Sequence, residues 1–247
     1  GDELSLVSTT DVLPSSATRK GETWTIRVVP SDGETDGPSG AASVDIQNTP
    51  PSISAVTITP SDPLSTDTLT CSAEGAEDID ADPITLTTVW LVDGVETGSG
   101  GETLDPSEFA PGSFVSCSVT PSDDETTGDT LTADAVRVNV PPVVHSVSVT
   151  PDDPTVEDDL TCVVGLLTDG DGDTVTTSIR WFINAIDVGE TTSTLDSTWF
   201  ARDDVIHCTV TPSDGHEDGA TAIATPVTVQ NTPPSISAVT ITPSDPL

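Results

Sequence analysis

The sequence predicts an all-β chain of tandem two-sheet sandwich domains in a linear array, and three observations carry that expectation. First, the stretch Asn48–Leu64 returns unchanged as Asn231–Leu247, and a looser copy opens at Asn139-Val140-Pro141-Pro142. The starts lie 91 and 92 residues apart, the period of a small domain rather than of a solenoid repeat. Second, apolar residues alternate with a period of two in short runs, separated by clusters of Pro, Gly, Asp, Ser and Thr, and no helical period is sustained for a dozen residues. Third, Cys, Trp and Cys recur in the same order at the same spacing.

The period divides the chain into residues 1–47, the later part of a domain; 48–140 and 141–230, two complete domains; and 231–247, the first strand of another. Pro30, Pro121 and Pro212 fix this register, each 91 residues from the next. Residue 1 then falls just past the Trp position of a complete repeat, so both ends read as cuts in a longer protein. In the complete repeats Leu69, Cys71 and Ala73 are expected on one face, as are Leu160, Cys162 and Val164. Val115, Cys117 and Val119 match Ile206, Cys208 and Val210, and the first copy offers Trp24, Ile26 and Val28 at those places. Ile26 replaces the cysteine there. Ile179, Trp181 and Ile183 alternate likewise, with Trp90 at the place of Trp181.

The four cysteines form two matched pairs, Cys71 with Cys117 and Cys162 with Cys208, each 46 apart, which predicts two disulfides and an oxidising, extracytoplasmic compartment. Each would close a loop for which chain entropy gives about 4 kcal/mol, a large share of a small domain's stability. From cysteine to tryptophan is 19 residues and from tryptophan to the second cysteine 27, in both copies. That order over some 90 residues of short strands is the pattern of an immunoglobulin-like β-sandwich, where the Trp packs on an inter-sheet disulfide.

The chain resembles the tandem Ig-like and PKD-like repeats of secreted bacterial and archaeal surface proteins. Asn139-Val140-Pro141-Pro142 fits their linker, Leu160-Thr161-Cys162 their first cysteine strand, and Asp169-Gly170-Asp171-Gly172-Asp173 their acidic loop. Cys208-Thr209-Val210-Thr211-Pro212-Ser213-Asp214-Gly215 fits the end of their second cysteine strand. There is no tyrosine, so the tyrosine corner of antibody-type domains is absent.

Lys and Arg number 6 against 42 Asp and Glu, a formal charge of −36, which disfavours nucleic acid and anionic membranes as partners and favours divalent cations or a saline medium. No apolar run approaches the roughly 20 residues needed to cross a bilayer. The acid is concentrated in loops. Asp169, Asp171 and Asp173 alternate on one turn, echoed by Asp78, Asp80 and Asp82, and both triplets begin seven residues after a first cysteine. Carboxylates so spaced can converge on a hard cation such as Ca²⁺, with Gly170 and Gly172 letting the backbone curl around it. An EF-hand is excluded, because position 12 from Asp169 is Arg180. In an Ig-like sandwich this loop shares an end with the loop after the second cysteine strand and with the linker. Asp169, Asp171 and Asp173 are thus expected near Asp214 and Asn139, and Asp78, Asp80 and Asp82 near Asp123, Asp124 and Asn48. The resemblance to calcium-clamped extracellular repeats points the same way. Against it stands a plain alternative: Asp and Gly are ordinary turn residues.

Pro50-Pro51 and Pro141-Pro142 restrict the backbone and favour stiff linkers, or else simply end one strand and begin another. No catalytic motif stands out: there is no G-x-S-x-G and no H-E-x-x-H, the cysteines are committed to pairing, and the chain is not expected to be an enzyme. His207 is expected outward and His216 in a solvated loop. Trp199 is expected to pack in a core corner, with an exposed binding aromatic as the alternative. The expected role is a stalk, adhesin shaft or surface fibre, partnered by neighbouring domains of the same chain and open to filament self-assembly by strand donation. The alternative is a module binding glycans or a surface protein through its loops.

Overall fold

The computed structural model describes residues 12–241. It divides into two compact units, one holding the residues up to Phe109 with Ser113–Arg137, the other Ala110–Gly112 with the residues from Val138 on. Among the described residues no helix is long and apolar enough to cross a membrane. Short 3₁₀ turns are the only helical elements described, and the named strands all pair antiparallel, with one isolated parallel bridge between Thr155 and Gln230.

In the first unit, β1 (Thr23–Val28) and β2 (Gly40–Asp45) form a hairpin. A sandwich follows. One sheet runs β3 (Ala55–Thr59), β4 (Leu69–Glu74) and, beyond β5 and β6 in the chain, β7 (Thr103–Leu104). The other joins β5 (Thr85–Val92), β6 (Val95–Gly100), β8 (Phe114–Ser122), β9 (Leu131–Thr132) and β10 (Val136–Arg137), with β8 central and paired to β5, β9 and β10. The second unit repeats the plan. A sheet of β12 (Val147–Thr150), β13 (Leu160–Val164) and β17 (Thr194–Leu195) faces one of β15 (Thr176–Ile183), β16 (Ile186–Asp187), β18 (Val205–Ser213), β19 (Ala222–Ile223) and β20 (Val227–Thr228). A small ribbon of β11 (Val143–Val144) and β14 (Leu167–Thr168) precedes its acidic loop.

The predicted alternation sets the two faces. Along β8 and β18 every second residue is buried, so Val115, Cys117 and Val119, like Ile206, Cys208 and Val210, point into the core. Cys71–Cys117 and Cys162–Cys208 are disulfides that tie the two sheets of each sandwich together. Trp90 and Trp181 are fully buried beside them, and each indole N–H donates to a backbone carbonyl, Gly101 O at 3.1 Å and Thr192 O at 2.9 Å. Two-residue turns close the β5–β6 and β15–β16 hairpins. Asp93-Gly94 and Asn184-Ala185 all have positive φ there, the type I′ form that matches strand twist. Asp93 Oδ1 and Asn184 Oδ1 each accept the N–H that opens the long strand, at Phe114 and Val205.

Two expectations change. Ile26 and Val28, predicted inward by their register with β8, are 62% and 58% exposed, because among the described residues no second sheet lies over the β1–β2 hairpin. Trp199 is 47% exposed, while its neighbour Phe200 takes the core position.

Candidate functional site

Each acidic loop is built around one aspartate that caps its own turn. Asp169 Oδ1 accepts the N–H groups of Asp171, Gly172 and Asp173 at 2.8, 2.8 and 3.1 Å. Asp78 Oδ1 likewise accepts from Asp80 at 2.8 Å and Asp82 at 3.1 Å. These are Asx turns, in which a short carboxylate competes for backbone donors that would otherwise continue the strand. They turn the neighbouring carboxylates toward one another. Oxygens of Asp169, Asp171 and Asp173 lie within 4.8 Å of one another, as do those of Asp78, Asp82 and Asp123. Oδ2 of Asp169 and Oδ2 of Asp78 are buried and accept no hydrogen bond. A buried carboxylate oxygen is costly unless a donor or a cation satisfies it.

The remaining sequence-selected residues hold the linker. Asp80 Oδ2 accepts the Thr49 N–H at 2.7 Å, and Asp171 Oδ2 accepts the Val140 N–H at 2.6 Å. Beside them Asn48 Nδ2 donates to Asp123 Oδ2 at 2.9 Å, and Asn139 Nδ2 to Asp214 Oδ2 at 3.0 Å. The second carboxylate oxygen of Asp123 and of Asp214 caps the turn after its strand, accepting from Glu125 and Thr126 in one case and His216 and Glu217 in the other. In both copies, then, the first two linker residues are tied through side chains to two loops of the sandwich that follows. Asp80, Asp214, Asn48 and Asn139 act as linker anchors, and Asp80 and Asp214 belong to neither converging carboxylate set.

These contacts shift titration. The Asn48 amide, then the Thr126 N–H, hold the Asp123 carboxyl down at about 2. At Asp214 burial alone would push the carboxyl up. The Glu217 N–H, the Asn139 amide and the His216 N–H outweigh it and leave it below the ordinary range.

Sequence reasoning missed two parts of this arrangement. Gly128 and Gly219 sit where the linker crosses: a Cβ on either would overlap the carbonyl oxygen of Pro51 or Pro142. A signal for them existed, since Pro30/Gly37, Pro121/Gly128 and Pro212/Gly219 share one spacing, closed each time by a bond from the Gly N–H to the Pro carbonyl. The other is Lys20, whose ammonium lies 2.6 Å from Asp82 Oδ2 and 2.8 Å from Glu125 Oε1. The Asp82 hydrogen bond, then that of Glu125, raises its pKa.

The histidines do less. His207 lies on the outer sheet face, its ring stacked on Phe182 at 4.9 Å, and burial lowers its pKa. His145 Nε2 meets Thr168 Oγ1 at 2.8 Å. At the other end of the sandwiches the acids cap local turns: Asp67 accepts the Leu64 N–H, and Asp105 caps the 3₁₀ turn Pro106–Glu108.

No protein-family model and no curated protein matches the chain. Among solved structures it is similar to three N-terminal domains of the Highly Immunogenic Outer Capsid protein (Hoc) of bacteriophage RB49, at 16% identity over 73% of this chain and 59% of that one, with a TM-score of 0.35. It thus spans less than two thirds of the Hoc segment. Domains A168 to A170 of titin align over 89% of this chain and 77% of theirs, at 12% identity and a TM-score of 0.40. The FN1–FN3 domains of chicken CNTN1 align over 85% and 77%, at 12% identity and 0.31. At such identities and scores the function must be argued from the chain's own residues, which form immunoglobulin-like sandwiches with two inter-sheet disulfides.

Proposed function

We propose that the chain is a section of an extracellular structural array, a stalk, adhesin shaft or surface fibre. Its work is mechanical: it holds length and resists unfolding while presenting something else at a distance. The observation that carries this is the duplicated linker clamp, in which Asn48 and Thr49, and again Asn139 and Val140, are fastened by side chains to the sandwich they enter. A flexible connector has no need of such ties. The Pro-Pro pair that follows restricts the backbone further, and disulfides suit an oxidising, extracytoplasmic setting. The resemblance to repeats of secreted bacterial and archaeal surface proteins supports the same reading.

The acidic loop beside the second clamp is the candidate cation site. Asp169, Asp171 and Asp173 supply the oxygens of a hard-cation site, and Ca²⁺ is the ion such a flexible, all-oxygen set suits best. A bound ion would satisfy Asp169 Oδ2 and remove the repulsion among three carboxylates. The test is thermal unfolding of the oxidised chain with and without millimolar Ca²⁺, paired with small-angle scattering. A raised melting temperature together with a longer, stiffer particle is expected, and both responses should vanish in Asp169→Asn/Asp173→Asn. No response in either measurement would leave these aspartates as turn formers.

A second reading rests on Trp199, whose exposed indole suits stacking on a sugar ring or docking on a surface protein. Selective hits for the chain on a glycan array, lost in Trp199→Ala, would favour a binding module over a shaft.

A further inference from the structure

The two acidic loops carry nearly the same hydrogen-bond skeleton, and at the first the hairpin before it supplies an ammonium. Lys20 is the single lysine of a chain with formal charge −36, and its ammonium lies between Asp82 and Glu125 at 2.6 and 2.8 Å. Asp82 belongs to the converging Asp78, Asp82 and Asp123 set, so the ammonium is seated at the edge of the oxygens that would hold a metal ion. Its side chain is 24% exposed and that of Asp82 29%, so the pair is shielded from solvent more than an ordinary surface ion pair.

Lys20 is held there by its own hairpin. The adjacent Gly21 N–H donates to Ile46 O at 2.9 Å, and the Ile46 N–H donates to Glu22 O at 2.8 Å, which fixes the residues before β1 beside the end of β2, two residues short of Asn48. The side chain then reaches 62 positions ahead to Asp82. It thereby joins the β1–β2 hairpin to the sandwich beyond the linker, within one compact unit. The repeat register that aligns Pro30 with Pro121 sets Pro111 opposite Lys20, so the copy preceding the Asp169–Asp173 loop offers no amine at this place.

We propose that Lys20 is a tethered counter-ion that occupies the Asp78, Asp82, Asp123 cluster and excludes a divalent cation from it. An ammonium is a compact point charge on a flexible stem and fills such a place without any ion from the medium. A doubly charged ion seated on the same carboxylates would lie within a few ångströms of that ammonium, and the like charges would repel strongly in this half-buried setting. The first acidic cluster is therefore neutralised by the chain itself at any calcium concentration. This holds whether or not the second loop takes a metal ion, which is the separate cation reading given above.

Calcium stoichiometry of the full 247-residue chain decides it. Isothermal titration calorimetry at about 0.15 M NaCl, where long-range attraction to the acidic surface is screened, would be run on the native chain, Lys20→Gln, Lys20→Arg and Lys20→Gln/Asp82→Asn. The expected result is one additional bound Ca²⁺ per chain in Lys20→Gln, lost again when Asp82→Asn is added, and no additional ion in Lys20→Arg, which keeps the positive charge. An unchanged stoichiometry in Lys20→Gln, or a native chain that already fills the first cluster, would overturn the proposal. Asp169→Asn/Asp173→Asn separates the two readings. If it removes no ion from the native chain while Lys20→Gln still gains one, the metal reading of the second loop fails and the tethered lysine stands.

Discussion

The loop Asp78–Asp82 and the loop Asp169–Asp173 occupy equivalent places in two sandwiches, cap themselves through equivalent aspartates and grip equivalent linker residues, yet differ at two positions of their own and at one outside them. Where the second loop has Gly172 at φ 86°, the first has Ala81 forced to φ 64°. Gly170 is pressed so closely by Val140 that a Cβ would lie 2.7 Å from its Cγ1, whereas the matching Ile79 stands 82% exposed. Lys20 attends the first loop, and its register partner for the second is Pro111. What both copies keep is the grip on the linker. What varies is the surroundings of the negative charge gathered there, which argues that the clamp is the primary structural device.

The comparison is most easily broken at the glycines under the linker. Gly219→Ala and Gly128→Ala each force a Cβ into a proline carbonyl, and overpacking of that kind costs about 1–3 kcal/mol. Gly37→Ala, which follows the same Pro–Gly spacing but would meet Pro30 Cγ only at 3.1 Å, should cost far less. Differential scanning calorimetry should show one unit shifted by each of the first two variants, and little movement for the third. Equal effects from all three would mean that the linker crossing is not what demands glycine.

A smaller effect tests the loops themselves. Gly172 has open space around it, so Gly172→Ala carries only the left-handed backbone penalty of about 1 kcal/mol. Ala81→Gly removes that penalty but adds freedom to the unfolded chain, so its gain should be smaller than the loss at Gly172. Denaturant titration of both variants checks the opposite signs.

The smallest effect at neutral pH is the most specific to the clamp. Asp123 is held at about 2 in the folded chain, below its ordinary value near 3.9. The stabilisation this represents is fully present above about pH 4 and is lost as pH falls toward about 2. Thermal midpoints of the native chain and Asp123→Ala, compared across that window, should converge at its acid end. Parallel curves would show that the Asn48–Asp123 contact does not contribute to stability.

The strands and their faces were legible in the sequence because the inward positions of β4, β8, β13 and β18 are local alternations, and the disulfides because Cys71–Cys117 and Cys162–Cys208 repeat one spacing around a buried Trp. The loop aspartates were legible too, since an Asx turn is made by neighbours in the chain. Tertiary structure alone decided what those aspartates touch. That Asp80 and Asp171 grip the linker while Asp78 and Asp169 cap the turn depends on which oxygen faces which N–H across 31 residues of chain. Lys20, isolated in the sequence, meets its partner 62 residues away, and Gly128 is required only because Pro51 passes over it. Ile26 shows the converse: its alternation marks an inward face, but burial needs an opposing sheet. The local pattern fixes which residues alternate, and only the assembled chain fixes what stands opposite them.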